Sequence, residues 1–143
     1  MKWITRSHVH VDRVACPWLI SRFIDSRAEF IFVARDLVLE VAAREGATPF
    51  DIEEVELGHH GDNCSFVAIM EKYALRDPAL LALAAVVNAA DTGKSGSHPL
   101  AAALEALADG FSLLHPDDHE NLMAQFGIYD ALYSHFRKAA CKD

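Results

Sequence analysis

The N-terminal part of the sequence alternates short apolar or β-branched runs with longer segments that are apolar on one face. The short runs, which we predict as strands, are Trp3–Thr5, Glu29–Val33 and Glu54–Leu57. One helix between them is predicted to start at Cys16-Pro17, because proline suits the first helical position, where its missing N–H would have no partner. Another is predicted from a capping Asp36 to Gly46. This strand–helix alternation is typical of a small parallel sheet.

The C-terminal part has a helical pattern. After Cys64, apolar residues recur with the spacing of one helix face. Three further helices are predicted, over Asp77-Pro78 to about Ala90, about Pro99 to Leu114, and about Pro116 to Ala139, the last with a potential break at Gly127. We therefore predict one domain over residues 1–143, of α/β to α+β class. A three-stranded sheet from a βαβαβ half would pack against a four-helix half.

Composition restricts the function classes. The 143 residues carry a net charge of −8, which argues against a nucleic-acid binder, since such a protein needs a basic surface to meet phosphates. No apolar run approaches the about 20 residues of a membrane helix, and the N-terminus has no signal-peptide core, so we expect a cytoplasmic protein. The cysteines Cys16, Cys64 and Cys141 are odd in number and widely spaced, which does not suggest a disulfide framework.

Two segments concentrate functional side chains, His8–Asp25 and Leu57–Phe66. Each follows a predicted strand and leads into a predicted helix. Ligands of open parallel sheets bind outside the carboxyl ends of the strands, so we expect the two segments to meet at one edge. Helix N-termini at that edge would favour anions.

The second segment offers metal ligands. Imidazole, carboxylate and thiolate occur together in His59, Asp62 and Cys64, a set that suits zinc, iron or another first-row transition metal. A further ligand must come from elsewhere in the chain, and we predict Asp91, with His8 and His10 as alternatives. The competing interpretation is a glycine turn in which Asp62 or Cys64 caps the following helix.

The first segment offers an anion site. The predicted ligand-binding residues are Asp12, Arg13, Cys16, Trp18 and Arg22. The two arginines would supply paired donors suited to an oxyanion, although both could instead form structural ion pairs with Asp12 and Asp25. A thiolate at a helix N-terminus is reactive, which makes Cys16 the best candidate nucleophile. The alternative is a small buried cysteine beside Trp18.

The chain also resembles a known family. The stretches that carry the resemblance are DRVACPWLISRFID, AEFIFV, ATPFDIEEVELGHHGDNCSF, DPALLALAAVVNAAD, DDHENL and YDALY. In this order they resemble the ChrB-type chromate-resistance domain, which forms the C-terminal part of ChrB proteins. The resemblance implies a sensing or accessory role in chromate resistance, a stress response. It also implies that His59 is the recurrent histidine of the motif and His60 a variable position.

We therefore expect a cytoplasmic chromate-resistance domain that binds a small anion or a metal ion, without a membrane and without nucleic acid from this chain by itself. One alternative is a metal- or thiol-dependent enzyme of reductase or detoxification type. Another is an interaction module that acts through a protein partner or as an oligomer. Turnover by the pure protein would favour the enzyme, and ligand binding without turnover would favour the sensor.

Overall fold

The computed structural model describes residues 1–141 and contains a three-stranded sheet. Its strands are β1 (Lys2–Arg6), β2 (Glu29–Val33) and β3 (Thr48–Pro49), in the order β2-β1-β3. Both pairings are parallel, with Ile4 opposite Ile31 on one side and Pro49 on the other. The predicted small parallel sheet is confirmed, and the first predicted strand is its central one.

The third strand is not where the sequence pattern predicted it. Residues 54–57 form turns, and the pairing with β1 is made by the two residues of β3. The chain then closes a compact loop, in which the Asp51 N–H donates to the Leu57 carbonyl at 3.0 Å. The loop requires glycine at position 58, because a Cβ there would lie 2.3 Å from the Ile52 carbonyl oxygen. The apolar side chains within residues 54–57 pack inside this loop and do not belong to a β-strand.

The first helix starts earlier than predicted. Helix α1 spans Val11–Phe23, so Cys16 lies within the helix and Pro17 interrupts its hydrogen bonding. Proline in a helix interior costs about 3 kcal/mol or more, but most of α1 is buried and its packing overrides this preference. Cys16 is therefore not at a helix N-terminus, and the dipole argument for a reactive thiolate does not apply.

Helix α2 (Val38–Glu45) follows a short 3₁₀ turn over Arg35–Leu37. The predicted cap at Asp36 is wrong, since no side chain caps this helix and Leu37 occupies the N-cap position. The predicted end is confirmed, because Gly46 has the left-handed φ of 64° that favours glycine after a helix.

The C-terminal part forms the four predicted helices. They are α3 (Ser65–Lys72), α4 (Pro78–Asp91), α5 (Ala101–Leu114) and α6 (Asp118–Ala140). Helix α4 is capped by Asp77, whose carboxylate accepts from the Ala79 N–H at 2.8 Å. Helix α6 continues through Gly127 without a break.

The sheet lies between two apolar layers. On one face, Ile4 packs with Val38 and Val41 of α2. On the other, Trp3 belongs to the main core, which joins α1 to α3, α4, α5 and α6. This alternation of neighbouring residues follows from the two-residue period of a strand. Among residues 1–141, no helix is both long and apolar enough to span a bilayer.

Candidate metal centre

Three carboxylates and one imidazole converge beside the carboxyl edge of the sheet. Asp12, Asp51, His59 and Asp91 each offer one ligand atom, and these atoms lie within 4.8 Å of one another. We refer to these four residues as the acidic centre. Asp12 and Asp51 are only 1% and 2% exposed, whereas the side chain of His59 is 43% exposed. The centre is therefore buried at one end and open at the other.

The sheet topology explains why these residues meet. Asp12 lies in the first turn of α1, shortly after β1, and Asp51 lies two residues after the end of β3. Parallel neighbouring strands end at the same edge, so both carboxylates are delivered there. His59 lies in the loop that precedes α3, and Asp91 is the last residue of α4. The expected meeting of the two segments at one edge is thus confirmed, although β3 brings Asp51 instead of the predicted third strand.

Asp12 is held by three donors. Its carboxylate accepts from the Ser65 N–H at 2.8 Å, the Phe66 N–H at 3.2 Å and the Cys16 Sγ at 3.2 Å. The first two are free backbone donors at the N-terminus of α3, which favours negative charge. Burial nevertheless raises the pKa of Asp12 well above its usual range, and the nearby charges of Asp51 and Asp91 raise it further.

Asp51 has the opposite balance. Its carboxylate accepts from the Ser65 hydroxyl at 2.9 Å and pairs with Arg13 Nη1 at 3.3 Å. Burial acts to raise the pKa of Asp51, but the contact with His59 and the charge of Arg13 outweigh it, and the pKa falls below its usual value. Asp51 is therefore the carboxylate that stays ionised.

His59 bridges the carboxylates at the open end. Its Nε2 lies 2.9 Å from Asp91 Oδ2, 3.3 Å from Asp51 Oδ1 and 3.9 Å from Asp12 Oδ2. The contact with Asp51 raises the pKa of His59 to about 9, against the opposing effect of burial. Burial, followed by the charge of Asp51, raises the pKa of Asp91. Without a metal, His59 therefore holds a proton at neutral pH.

The residues predicted as metal ligands separate into two groups. His59 and Asp91 belong to the acidic centre. Asp62 is 93% exposed and faces Lys94 Nζ at 3.6 Å. Cys64 is buried outside the centre, where its N–H donates to Asn88 Oδ1 at 2.8 Å and burial raises the pKa of its thiol. His60 hydrogen-bonds the Glu56 carbonyl at 2.7 Å.

The two histidines considered as alternative ligands are not part of the acidic centre. His10 Nε2 is 2.6 Å from Asp109 Oδ1, on α5. At His8, the backbone N–H donates to Asp118 Oδ2 at 3.1 Å.

The predicted anion-binding residues also separate. Asp12 belongs to the acidic centre, and Arg13 borders it through Asp51. Trp18 and Arg22 lie further along α1, where both bind Asp130 of α6. The indole N–H donates at 2.7 Å and the guanidinium makes two bonds of 3.0 Å.

Cys16 lies between these groups. Its thiol is fully buried and donates to Asp12, and burial raises its pKa well above the usual range, as does the charge of Asp12. A thiol in this state orients the Asp12 carboxylate and stays protonated.

A cavity of about 320 Å³ opens beside the acidic centre. Its walls are formed by Arg6, Arg35, Asp51, Ile52, Glu53, Glu54 and His59. Asp51 and the two arginines were missed by the sequence interpretation. Asp51 and Arg6 could have been found from their positions near the ends of strands β3 and β1. Asp51 was not found because the third strand was predicted in the wrong place.

Comparison with known proteins gives one family and one relative. The sequence profile described as "ChrB, C-terminal domain" matches residues 3–136. Protein ChrB of Cupriavidus metallidurans is 36% identical over 141 residues, which cover 94% of this chain. The chain spans only 40% of the length of that relative. No solved structure matches the chain at a significant level.

Proposed function

This chain belongs to the ChrB C-terminal domain family, and from that premise we propose that it acts in chromate resistance by binding a divalent transition-metal ion at the acidic centre. We propose a sensing or accessory role. The bound ion would hold together the four parts of the chain that supply its ligands, namely α1, the loop after β3, the loop before α3 and the end of α4. A metal bound only by the folded state stabilises that state.

The observation that carries the proposal is the burial of unbalanced carboxylates. Asp12, Asp51 and Asp91 offer ligand atoms within 4.8 Å of one another, together with His59. Ionised carboxylates in such a setting are costly unless a cation balances them. Among residues 1–141, Arg13 pairs with one carboxylate of the centre, that of Asp51. A divalent ion would compensate the remainder and replace the proton that His59 retains in the metal-free centre.

The ligand chemistry limits the metal class. Carboxylates favour hard ions, and imidazole suits zinc and iron, so iron, zinc and manganese fit the combined set. Ligand atoms bound at about 2.1 Å lie at most about 4.2 Å apart. The ligand atoms of the acidic centre already lie within 4.8 Å of one another, so a small contraction suffices for binding.

The oxyanion that the sequence predicted is not favoured at its original place. Arg13 pairs with Asp51, and Arg22 makes a two-bond pair with Asp130 on the other side of α1. Both guanidinium groups are thus committed to carboxylates and lie apart. A metal ion fits the acidic walls of the centre better than an anion does.

The open end of the centre favours a second candidate function, metal-dependent catalysis. His59 lines the cavity, so a bound ion would have one side that a substrate could reach. A mechanism based on thiol attack receives no support from Cys16, which is buried and protonated.

The test is metal analysis of the purified chain by mass spectrometry. We expect close to one equivalent of zinc, iron or manganese, either as isolated or after loading and desalting. Asp91→Asn should lose most of it, because a coordinating carboxylate becomes a neutral amide. Asp62→Asn is the matched control, since this side chain is 93% exposed and lies outside the centre. A wild-type chain that takes up none of the three metals would refute the proposal.

A further inference from the structure

The cavity beside the acidic centre contains a cation that has no counterion. Arg6, the last residue of β1, is half-buried, and its Nε is buried without a hydrogen-bond partner. Arg13 and Arg35 are paired with Asp51 and Glu53, respectively, whereas Arg6 forms no salt bridge with any residue between 1 and 141. Burial and the charge of Arg13 lower the pKa of Arg6, and they outweigh the opposing charge of Asp51. Its surroundings therefore disfavour a lone positive charge.

The same cavity joins this cation to the acidic centre. Asp51 and His59 belong to both, so one occupant could touch the open side of a bound metal and the arginine side of the cavity. With His59 bound as a neutral imidazole, a divalent ion and Arg13 together balance the three carboxylates of the centre. The charge of Arg6 then stays uncompensated, and metal loading makes the cavity more attractive to an anion.

The acidic residues of the cavity do not remove this charge. Glu53 is 81% exposed and is engaged by Arg35 at 2.6 Å, and Glu54 is exposed and forms no salt bridge within residues 1–141. Exposed pairs such as Arg35–Glu53 are weak, so Arg35 can exchange its partner for a ligand. Arg6 is fixed more firmly, because it lies at the end of a central strand.

We propose that the cavity is a binding site for a small oxyanion, which coordinates the metal of the acidic centre and accepts hydrogen bonds from the Arg6 guanidinium. This inference rests on the proposed metal site and extends it from a metal alone to a metal–anion pair. The ligand class is defined by oxygen atoms with negative charge, found in tetrahedral dianions and in carboxylates. Arg35, at the rim, contributes a second, exchangeable cation.

Coupled binding is the consequence that can be measured. An anion that contacts both the metal and Arg6 must tighten metal binding by the same factor by which the metal tightens anion binding. Titration calorimetry of the whole chain with Mn²⁺, and in parallel with Zn²⁺, would be run in chloride, in sulfate and in acetate at constant ionic strength. Sulfate represents tetrahedral dianions and acetate represents carboxylates. We expect at least one of them to tighten metal binding about fivefold or more.

Two variants locate the effect. Arg6→Gln should bring the anion-dependent factor close to one, while its metal affinity in chloride stays the same or rises slightly because a nearby cation is gone. Arg44→Gln is the matched control, as Arg44 is 66% exposed on α2 and pairs with Glu45 at 3.8 Å, outside the cavity. If Arg6→Gln unfolds in a thermal melt, Arg35→Gln replaces it and should reduce the factor in part.

The outcomes separate the two proposals. The anion site is overturned if neither sulfate nor acetate strengthens metal binding in the wild type. It is also overturned if an anion strengthens metal binding by the same factor in the wild type and in the cavity variant. Either result leaves the metal site standing. A wild-type chain that binds neither Mn²⁺ nor Zn²⁺ overturns both.

Discussion

His59 Nε2 lies 2.9 Å from Asp91 Oδ2, which joins the loop before α3 to the last residue of α4. Asp12 and Asp51 approach the same nitrogen from α1 and from the loop after β3. One imidazole therefore contacts three carboxylates that come from separate parts of the chain. In the metal-free protein a proton on His59 satisfies them, and we propose that a metal ion replaces that proton.

The first prediction concerns the two adjacent histidines. His59→Ala removes the only nitrogen ligand of the acidic centre. Loss of a residue that merely orients a metal ligand typically weakens metal binding about 10- to 100-fold, so loss of His59 itself should weaken it at least as much. His60→Ala should leave metal binding nearly unchanged, because the His60 ring bonds the Glu56 carbonyl, outside the acidic centre. Metal content after loading and desalting measures both, and equal content in the two variants would contradict the assignment.

The second prediction concerns protons released by metal binding. The contact with Asp51 raises the pKa of His59 to about 9, so this imidazole holds a proton at neutral pH in the metal-free centre. Burial raises the pKa of Asp12 as well. A metal must displace the His59 proton, so its apparent affinity should rise with pH up to about 9. Calorimetry in buffers of different ionisation enthalpy counts the protons released. A pH-independent affinity without proton release would speak against these ligands.

The third prediction concerns the stability of the metal-free protein. A histidine whose pKa is raised on folding stabilises the folded state fully below its unfolded pKa, and this contribution is lost as pH rises through the folded pKa. For His59 the loss should fall between pH 6.5 and about 9. Urea unfolding with a chelator present should show stability declining over this interval in the wild type, and a smaller decline in His59→Gln. The same decline in both proteins would assign it to other groups.

The fourth prediction compares two glycines. Gly58→Ala would place a Cβ 2.3 Å from the Ile52 carbonyl, so the loop that carries Asp51 must shift, at a cost of about 1–3 kcal/mol in the free energy of unfolding. Metal affinity should fall with it. Gly127→Ala meets no atom within 4 Å on α6 and should stabilise by up to about 1 kcal/mol through helix propensity. Denaturant midpoints measure both changes, and a neutral Gly58→Ala would show that the loop is not fixed by this contact.

The fifth prediction concerns Arg22, which the sequence grouped with the ligand-binding residues. The side chains of Arg22 and Asp130 are both about half exposed, and exposed ion pairs contribute little to stability. Arg22→Gln should therefore reduce the free energy of unfolding by no more than about 1 kcal/mol. Metal binding, and its dependence on sulfate or acetate, should stay at the wild-type level. A change in either would return Arg22 to the ligand-binding group.

Local signals predicted most of the fold. Asp77-Pro78 and Gly46 mark helix ends through backbone chemistry that acts within a few residues, and both predictions are confirmed. The start of α1 was missed because burial of the helix outweighs the preference of Pro17 for a first turn. Strand β3 was missed because two residues carry no periodicity, and their pairing with β1 depends on the tertiary fold.

The candidate site was predicted in part for the same reasons. His59 and Asp91 were predicted as ligands, and the meeting of two segments at one sheet edge followed from parallel topology. Asp51 was missed with β3, since its value as a ligand depends on where that strand ends. Asp62 and Cys64 were included because they are close in sequence to His59. The structure separates them from it, since Asp62 points to solvent and Cys64 into the core.

The most direct measurement is anomalous diffraction from crystals of the protein loaded with Mn²⁺ or Zn²⁺, recorded at the absorption edge of the metal. The account predicts one strong anomalous peak among Asp12, Asp51, His59 and Asp91, with coordination distances of about 2.0–2.2 Å. A peak instead at Asp62 and Cys64, or no peak in a protein whose acidic centre is well ordered, would contradict it.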